Sequence, residues 1–381
     1  MERAELIRLL RGTGCAVERS GGVFLCDPQG SPLERAQAER VISQAAVAAG
    51  EAGTGWLAVR TGGSSGGVKF ARHDERTLAA AVAGFCAHFG LARVNAVNVL
   101  PVHHVSGLLA AVRCTATGGE HMAWDWKRLE AGEVPVMRAG PDGWVISLVP
   151  TQLQRLLARP DTRDWLARFR LIFVGGGPLW PDLAAAAATA GLRVSISYGM
   201  TETAAMVAAL TPEEFIAGDR SCGRALPHAR VDVASDGVVR IDGESVFRGY
   251  WPETRRAGPF ETEDLGRMDG QGRLHLLGRR DAMIISGGKK IAAADVEAAL
   301  RASGEFCDVA VIGVPDPEWG ERVVACYPAA AARAPDLARA VAALAPAQRP
   351  KRFVPLAVWP RNAQGKINRA ELRQRVLDFP V

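Results

Sequence analysis

No stretch of this chain approaches the ~20 consecutive apolar residues of a membrane-spanning helix. Its start, Met1–Glu5, is charged, and no apolar signal core follows it. The seven cysteines stand singly, without a C-x-x-C pair, which argues against a disulfide framework or a structural zinc site and is typical of a reducing compartment. We therefore expect a cytoplasmic protein without a membrane span.

Blocks of like charge are absent as well. The net charge is only +5 and the basic residues are spread along the chain, so no nucleic-acid partner is expected, while a small anionic ligand stays open. Hydrophobic residues make up 48% of the sequence, an ordinary globular share. The length of 381 residues is enough for two or more domains at ~150 residues each.

Lysine is scarce: only six of the 46 basic residues are lysines. Lys69, Lys289, Lys290 and Lys366 all lie close to glycines. Because this chain uses arginine almost everywhere else, a retained lysine suggests a place where a compact ammonium is needed instead of a planar guanidinium.

From Trp56 onward, short apolar runs alternate with helical patterns. Such runs are typical of strands buried in a parallel sheet, and the alternation predicts βαβ units and an α/β fold. The predicted strands are Trp56–Val59, Val94–Leu100, Trp144–Val149, Leu171–Val174 and Val194–Ser197. The predicted helices include Thr77–Phe89, Thr151–Leu157 and Asp182–Ala190, the last ending before Gly191. Residues 1–55 predict short helices joined by loops.

The pattern changes near Ala229. Ser235-Asp236-Gly237 between the runs Ala229–Val233 and Val238–Ile241 predicts a hairpin. After Gly278-Arg279-Arg280-Asp281 the chain restarts as a small α+β unit. Its predicted strands are Val309–Val314, Val323–Tyr327 and Val354–Val358, and its predicted helices are Asp295–Ala302, Leu337–Leu344 and Ala370–Leu377. We predict a large N-terminal domain, residues 1–280, with mixed or parallel sheets flanked by helices, and a small mobile α+β domain, residues 281–381.

A glycine-rich segment, Thr61-Gly62-Gly63-Ser64-Ser65-Gly66-Gly67-Val68-Lys69, directly follows a predicted strand. Its glycines permit φ > 0 and bring backbone N–H groups close to phosphate oxygens. The hydroxyls of Thr61, Ser64 and Ser65 add donors, and Lys69 adds positive charge. The spacing is not that of a Walker A loop. A flexible Gly/Ser turn accounts for the composition equally well.

Two further segments, Tyr198-Gly199-Met200-Thr201-Glu202-Thr203 and Gly175-Gly176-Gly177, also follow predicted strands, where parallel α/β sheets bind ligands. Glu202 is suited to hold Mg²⁺ on a nucleotide, because magnesium takes few carboxylates together with phosphate oxygens. The glycines would admit a flat ligand such as adenine. The alternatives are a threonine that caps an alanine-rich helix and a plain strand–helix connector.

Charged residues surround the predicted domain boundary. Asp264 and Arg267, followed by Arg279 and Asp281, are suited to ribose hydroxyls and phosphate, or equally to a solvated ion-pair cluster. Near the C-terminus, Gln364-Gly365-Lys366-Ile367 by itself predicts only a turn with a surface lysine.

In this order the segments resemble the motifs of the adenylate-forming superfamily, which includes acyl-CoA synthetases, peptide-synthetase adenylation domains and luciferases. The glycine-rich segment matches the pattern T-S-G-T-T-G-x-P-K in length and departs from it at Gly62, Ser64, Ser65 and Val68. Tyr198–Glu202 fits Y-G-x-T-E, Asp264 fits the ribose-binding aspartate, Gly278–Asp281 fits the G-R-x-D hinge, Ile285–Ile291 with Asp295–Glu297 fits the segment after it, and Lys366 fits the C-terminal lysine.

The resemblance implies ATP, Mg²⁺ and coenzyme A as ligands, with adenylation of an acid followed by thioester formation. The catalytic residues would be Lys366, Thr201, Glu202 and His104, with Glu202 also holding Mg²⁺ and Asp281 as the hinge of the mobile domain. The implied nucleotide-binding and coenzyme-binding residues are Thr61, Gly63, Ser64, Ser65, Gly66, Lys69, Gly175, Gly176, Gly177, Tyr198, Gly199, Asp264, Arg279, Gly287 and Gly288.

Within the superfamily, the segments Thr61–Ala71, Leu100–Gly107 and Ser147–Leu153 are most similar to o-succinylbenzoate–CoA ligases of menaquinone or phylloquinone synthesis, in particular the short cyanobacterial type. This implies an aromatic dicarboxylic acid as the partner and leaves a homodimer open. The candidate cations for its second carboxylate are Arg72, His73, His104 and Arg113.

The glycine-rich segment lies nearer the N-terminus than in most of the superfamily, so a reduced N-terminal subdomain is expected. The alternatives are another aryl–CoA ligase, an adenylation domain that feeds a carrier protein, and a non-catalytic nucleotide-binding protein.

Overall fold

The computed structural model describes residues 2–19, 21–43, 55–62, 68–138, 140–253, 258–329, 334–360 and 367–378. The chain divides into two compact units. The first comprises Met1–Asp232, Arg240–Glu261 and Met268–His275, and the second comprises Val233–Val239, Thr262–Arg267 and Leu276–Val381. Among the helices in these ranges, none is long and apolar enough to cross a bilayer. No disulfide links the seven cysteines, all of which lie in the described ranges.

The first unit begins with a four-stranded sheet in the order β1-β2-β3-β4. Its elements are α1 (Arg3–Arg11), β1 (Ala16–Arg19), β2 (Gly22–Leu25), α2 (Pro32–Ser43), β3 (Leu57–Gly62), β4 (Val68–His73) and α3 (Glu75–Phe89). The hairpin of β1 and β2 corrects the prediction of helices and loops alone for this region. Each strand has only four residues, so the period-2 pattern was too short to detect in the sequence.

The main sheet of the first unit has seven strands in the order β11-β10-β9-β8-β7-β5-β6. Its strands are β5 (Asn95–Asn98), β6 (His121–Ala123), β7 (Trp144–Leu148), β8 (Leu171–Val174), β9 (Val194–Met200), β10 (Ala205–Ala209) and β11 (Arg224–Ala225). Strands β5 to β9 are parallel, whereas β10 and β11 add an antiparallel edge. The predicted parallel strands are confirmed, except that Trp56–Val59 corresponds to β3 of the first sheet.

Helices connect these strands. They are α4 (Val105–Thr117), α5 (Trp126–Glu130), α6 (Pro150–Leu157), α7 (Pro160–Leu166), α8 (Pro181–Thr189) and α9 (Pro212–Ile216). Asp74 caps α3 by accepting a 2.9 Å hydrogen bond from the Thr77 amide. The left-handed Gly191, with φ of 65°, follows α8 as its position predicted. Phe85 and Phe173 join α3 to the sheet in the core of this unit.

A third sheet, in the order β12-β13-β14-β15, comprises β12 (Ala229–Val233), β13 (Val238–Gly243), β14 (Phe260–Met268) and β15 (Leu274–Arg279). The second unit adds β16 (Met283–Ser286), β17 (Lys289–Ala292), α10 (Ala293–Ala302), β18 (Ala310–Asp316), β19 (Gly320–Pro328), α11 (Leu337–Ala340), β20 (Arg352–Leu356) and α12 (Arg369–Asp378). These strands form a sheet in the order β17-β16-β19-β18, with β20 parallel to β19.

The predicted helix Leu337–Leu344 is shorter than expected, because α11 ends at Ala340. Val296 and Leu300 of α10 pack with Val311 of β18 in one hydrophobic core cluster of the second unit. A domain boundary at Arg280 stays a prediction.

Candidate active site

The candidate site lies where β9 ends and the chain turns sharply into β10. Thr201–Thr203 forms a single 3-10 turn. The buried Thr203 hydroxyl closes this turn, since it accepts a 3.0 Å hydrogen bond from the Met200 amide and donates a 2.7 Å bond to the Ala205 carbonyl. The alternative of a threonine that caps an alanine-rich helix is therefore wrong: Ala205–Ala209 is the strand β10.

The turn is held in a strained conformation. Ala204 and Ala205 have φ of 50° and 76°, in the left-handed region that residues with a Cβ adopt rarely. Strained backbone of this kind concentrates at functional sites, where surrounding contacts fix it. Gly199 is required here, because a Cβ on it would come within 2.0 Å of the Ala205 carbonyl oxygen. The backbone thus presents Glu202 in one defined position.

The Glu202 carboxylate is buried, with 7% of the residue exposed. Two hydroxyl groups donate to the same carboxylate oxygen, Oε1: Thr61 Oγ1 at 3.1 Å and Tyr250 Oη at 2.8 Å. Thr61 lies near the end of β3, and the Glu202 backbone carbonyl accepts a 2.8 Å bond from the Phe247 amide. Charge-assisted hydrogen bonds of this kind satisfy a carboxylate that would otherwise be costly to bury.

The ammonium of Lys69, on β4, lies over the face of the Tyr250 ring, 5.2 Å from its centroid. The structure therefore brings Glu202 together with Thr61 and Lys69, the two ends of the glycine-rich segment, and the sequence predicted all three as site residues. The Lys69 ammonium and the Glu202 carboxylate contact the same tyrosine, and together they are suited to bind a ligand that carries both phosphate oxygens and a divalent cation.

His73, the last residue of β4, supports the Thr201–Thr203 turn through its imidazole ring. It is fully buried, and its Nε2 donates a 2.7 Å hydrogen bond to the Thr201 carbonyl. Its Nδ1 lies 3.1 Å from the Thr77 hydroxyl. Burial lowers the pKa of His73 from 6.5 to about 4, so the ring is neutral at pH 7. Because both ring nitrogens have partners, His73 acts as a support and not as a cation for a substrate carboxylate.

Acidification is expected to destabilise the protein through His73. The unfolded chain takes up a proton as the pH falls through 6.5, whereas the folded chain takes it up only near pH 4. Unfolding free energy therefore falls as the pH is lowered from about 6.5, by on the order of 3 kcal/mol once the pH is below about 4. Urea unfolding at several pH values measures this loss. His73→Asn should be less stable at pH 7 but lose less stability on acidification, and an unchanged pH slope would contradict the assignment.

The glycines after β8 lie close to β9. A Cβ on Gly175 would come within 2.9 Å of the Ser197 hydroxyl and 3.1 Å of the Ser197 carbonyl oxygen, so glycine allows a close approach of this loop to β9. Gly176 has φ of 76°. Tyr198, also on β9, is 6% exposed. These residues occupy the carboxyl ends of adjacent parallel strands, the usual ligand-binding edge of such a sheet.

The remaining candidates for a carboxylate partner have different surroundings. His104 immediately precedes α4, as its N-cap residue. Arg72 is buried and donates a 2.5 Å hydrogen bond to the Glu253 carbonyl. Arg113 is also buried, with its guanidinium 3.9 Å from the centroid of the Phe85 ring, and burial lowers its pKa to about 10. Arg113 therefore belongs to the core around Phe85.

In the second unit, Arg279 joins two predicted site residues. It forms a two-pronged ion pair with Asp281, at 2.8 Å for each hydrogen bond, and lies 3.4 Å from Asp264. Gly287 and Gly288, both with positive φ, make the turn between β16 and β17. A Cβ on Gly287 would come within 3.1 Å of the Trp319 ring. Gly63, Ser64, Ser65, Gly66 and Lys366 lie outside the described residues.

The contribution of Tyr250 was missed in the sequence. A signal for it is present in the composition, because the chain has only three tyrosines. Tyrosine is scarcer than lysine in this chain, so the argument from scarcity applies to Tyr250 as well. The role of His73 was also missed, since it was considered only as a cation.

Two segments of the chain match a known enzyme family. The AMP-binding enzyme model matches residues 51–251, and the AMP-binding enzyme C-terminal domain model matches residues 295–366. The first match alone covers more than half of the chain. The chain therefore belongs to the AMP-binding enzyme family.

Among individual relatives, the 2-succinylbenzoate–CoA ligase of Geobacillus kaustophilus is 33% identical over 298 residues, which are 73% of this chain and 60% of the relative. The indoleacetate–CoA ligase of Aromatoleum aromaticum is 30% identical over 94% of this chain and 71% of its own length. The crystal structure of ATP-bound MatB from Rhodopseudomonas palustris has a TM-score of 0.72 at 28% identity, covering 88% of this chain and 71% of that chain. The chain thus spans about three fifths of the length of the succinylbenzoate ligase.

Proposed function

We propose that this chain is an ATP-dependent acid–CoA ligase that adenylates o-succinylbenzoate and transfers the acyl group to coenzyme A, a step of menaquinone or phylloquinone synthesis. The observation that carries the proposal is the Glu202 carboxylate, held by two hydroxyls at the end of β9 beside Lys69. The family membership and the 2-succinylbenzoate–CoA ligase relative support the reaction class and the acid.

The reaction has two halves. A carboxylate oxygen of the acid bonds to the α-phosphorus of ATP, and the bond from that phosphorus to pyrophosphate breaks. The coenzyme A thiol, losing its proton, then bonds to the acyl carbon and AMP leaves. Neither half needs a covalent enzyme intermediate, so the protein contributes by positioning the reactants and neutralising charge on oxygens. Lys69 and the glycine-rich segment would hold the phosphates, and Lys366 would neutralise charge at the reacting carboxylate.

The residues at the turn fit a magnesium ion bound with ATP. The described residues contain no cluster of three side chains that could hold a metal alone. Magnesium does not require one, because it commonly takes one or two carboxylates and completes its octahedron with phosphate oxygens and water. Glu202 would provide that carboxylate. When bound, Mg²⁺ would neutralise phosphate charge.

The other site residues receive roles within their own units. Gly175–Gly177 and Tyr198 would border the adenine, since their strands end at the same edge as Glu202. In the second unit, Asp264 and Arg279 would bind ribose and phosphate, Asp281 would serve as the hinge, and the Gly287–Gly288 turn would border the pantetheine of coenzyme A. The acid itself would bind near His104 at the start of α4.

o-Succinylbenzoate is expected to be used on the order of a hundredfold better, in kcat/KM, than benzoate or 4-oxo-4-phenylbutyrate, each of which lacks one of the two carboxylates. The carboxylate that is not activated needs a buried polar partner, and a substrate without it leaves that partner unpaired. Product analysis with ATP, Mg²⁺ and free coenzyme A measures the ratio. Equal turnover of the monocarboxylic acids would reduce the proposal to a general aryl–CoA ligase.

Indoleacetate belongs in the same assay, because the indoleacetate–CoA ligase relative matches nearly the whole chain. A preference for indoleacetate would replace the proposed acid and keep the reaction class. Acyl-adenylate formation without transfer to free coenzyme A would instead favour an adenylation enzyme that feeds a carrier protein.

A further inference from the structure

Residues 247–251 form a strap that is fixed to β4 and to the Glu202 turn. Four backbone hydrogen bonds of 2.8–2.9 Å hold it: Arg248 N to Arg72 O, Arg72 N to Gly249 O, Trp251 N to Phe70 O, and Phe247 N to Glu202 O. The Arg248 side chain adds an ion pair to Asp74 at 2.8 Å. The backbone of Tyr250 therefore has little freedom to move relative to β4.

Within this strap, Tyr250 contacts both charged groups of the candidate site. Its hydroxyl donates to Glu202 Oε1 at 2.8 Å, and the Lys69 ammonium lies over its ring at 5.2 Å from the centroid. Tyr250 pairs with Ala71, two residues beyond Lys69 on β4. One rigid side chain thus fixes the position of a carboxylate by its hydroxyl and that of an ammonium by its ring face.

We propose that Tyr250 is a positioning residue that holds Glu202 and Lys69 at the separation required to bind the magnesium complex of ATP; this inference rests on the proposed function. The hydroxyl of Tyr250 occupies Oε1 together with that of Thr61 and fixes the side-chain conformation of Glu202. The other oxygen, Oε2, then serves as the ligand for the cation.

The support from Tyr250 is independent of the glycine-rich segment. Thr61 is the first residue of that segment, so its hydroxyl is part of the proposed phosphate-binding loop. Tyr250 is instead held by the backbone hydrogen bonds of the strap, which is far from that segment in the sequence. Removing the Tyr250 hydroxyl leaves one of the two donors to Oε1. Binding of the magnesium–ATP complex should therefore weaken only moderately, and the first expected effect is a higher Mg²⁺ requirement.

Tyr250→Phe removes the hydroxyl and keeps the ring, so it tests the hydroxyl alone. We expect the Mg²⁺ concentration for half-maximal ATP–pyrophosphate exchange to rise about tenfold, because one charge-assisted hydrogen bond to Glu202 is lost. The KM for the acid should be unchanged. Tyr250→Leu also removes the ring below Lys69, and calorimetry with α,β-methylene-ATP should then show weaker binding even without Mg²⁺. Tyr327→Phe, at the remaining tyrosine outside the site, provides the matched control.

Calorimetry of nucleotide binding with and without Mg²⁺ keeps this inference separate from the ligase assignment. If the wild-type protein binds the nucleotide–magnesium complex but exchanges no pyrophosphate with any acid, the ligase assignment fails. Weaker magnesium-dependent binding by Tyr250→Phe would still support the positioning role. If Tyr250→Phe keeps both the Mg²⁺ midpoint and the nucleotide Kd of the wild type, Tyr250 has only a structural role and the inference is overturned.

Discussion

Replacement of Glu202 by glutamine is expected to lower ATP–pyrophosphate exchange by about a thousandfold, because a charged ligand of the magnesium–phosphate complex is lost from a buried site. Glutamine has nearly the same shape, and its side-chain oxygen can still accept the hydrogen bonds from Thr61 and Tyr250. The Glu202 backbone bond to Phe247 is unaffected. The protein should therefore fold normally while the charge at the turn disappears.

Thermal unfolding tests whether Glu202→Gln loses activity while it keeps its stability. Glu202→Gln should unfold at a temperature equal to or above that of the wild type, since burying a neutral amide costs less than burying a carboxylate. Glu244→Gln, at an exposed glutamate near the strap, is the control and should keep full exchange. Near-normal exchange by Glu202→Gln at millimolar Mg²⁺ would remove the carboxylate from the proposed site.

The segment after β9 was predicted as part of the candidate site because its sequence combines two local signals. A buried strand, Val194–Met200, ends in polar residues, and ligands bind at that edge of a parallel sheet. Both signals come from residues that are neighbours in the chain, so a single sequence is enough to detect them. The same reasoning placed Leu171–Val174 with its correct bounds and the glycines that follow it.

The contacts across the site depend on long-range pairing, which a single sequence does not show. Tyr250 lies 48 residues beyond Glu202. Its position follows from pairing with β4, which was not predicted as a strand at all. β4 begins next to the glycine-rich segment, and the glycines concealed the start of its pattern. The strand β10 was missed for a related reason, because its Ala-Met-Val-Ala-Ala sequence is equally compatible with a helix.

Replacement of Lys366 by alanine is expected to lower adenylation by about a thousandfold, since one cation would neutralise charge that develops between the acid and the α-phosphate. Lys366 lies outside the described residues, and the expectation rests on its place at the end of the C-terminal family match and on the scarcity of lysine. Thioester formation from a preformed acyl-adenylate should remain close to the wild-type rate, because the phosphorus–oxygen bond has already formed. Rapid-quench assays of the two halves measure them separately.

Lys366→Arg distinguishes a point charge from charge in general. Arginine keeps the charge but spreads it over a planar fork, so a site built for a compact ammonium should recover only a small part of the activity. Lys351→Ala removes another lysine of the second unit, which lies 4.9 Å from the centroid of the Trp319 ring, and should leave both half-reactions intact. Equal losses in the two half-reactions for Lys366→Ala would contradict a role specific to adenylation. Full activity in Lys366→Arg would show that the lysines of this chain are not retained for their shape.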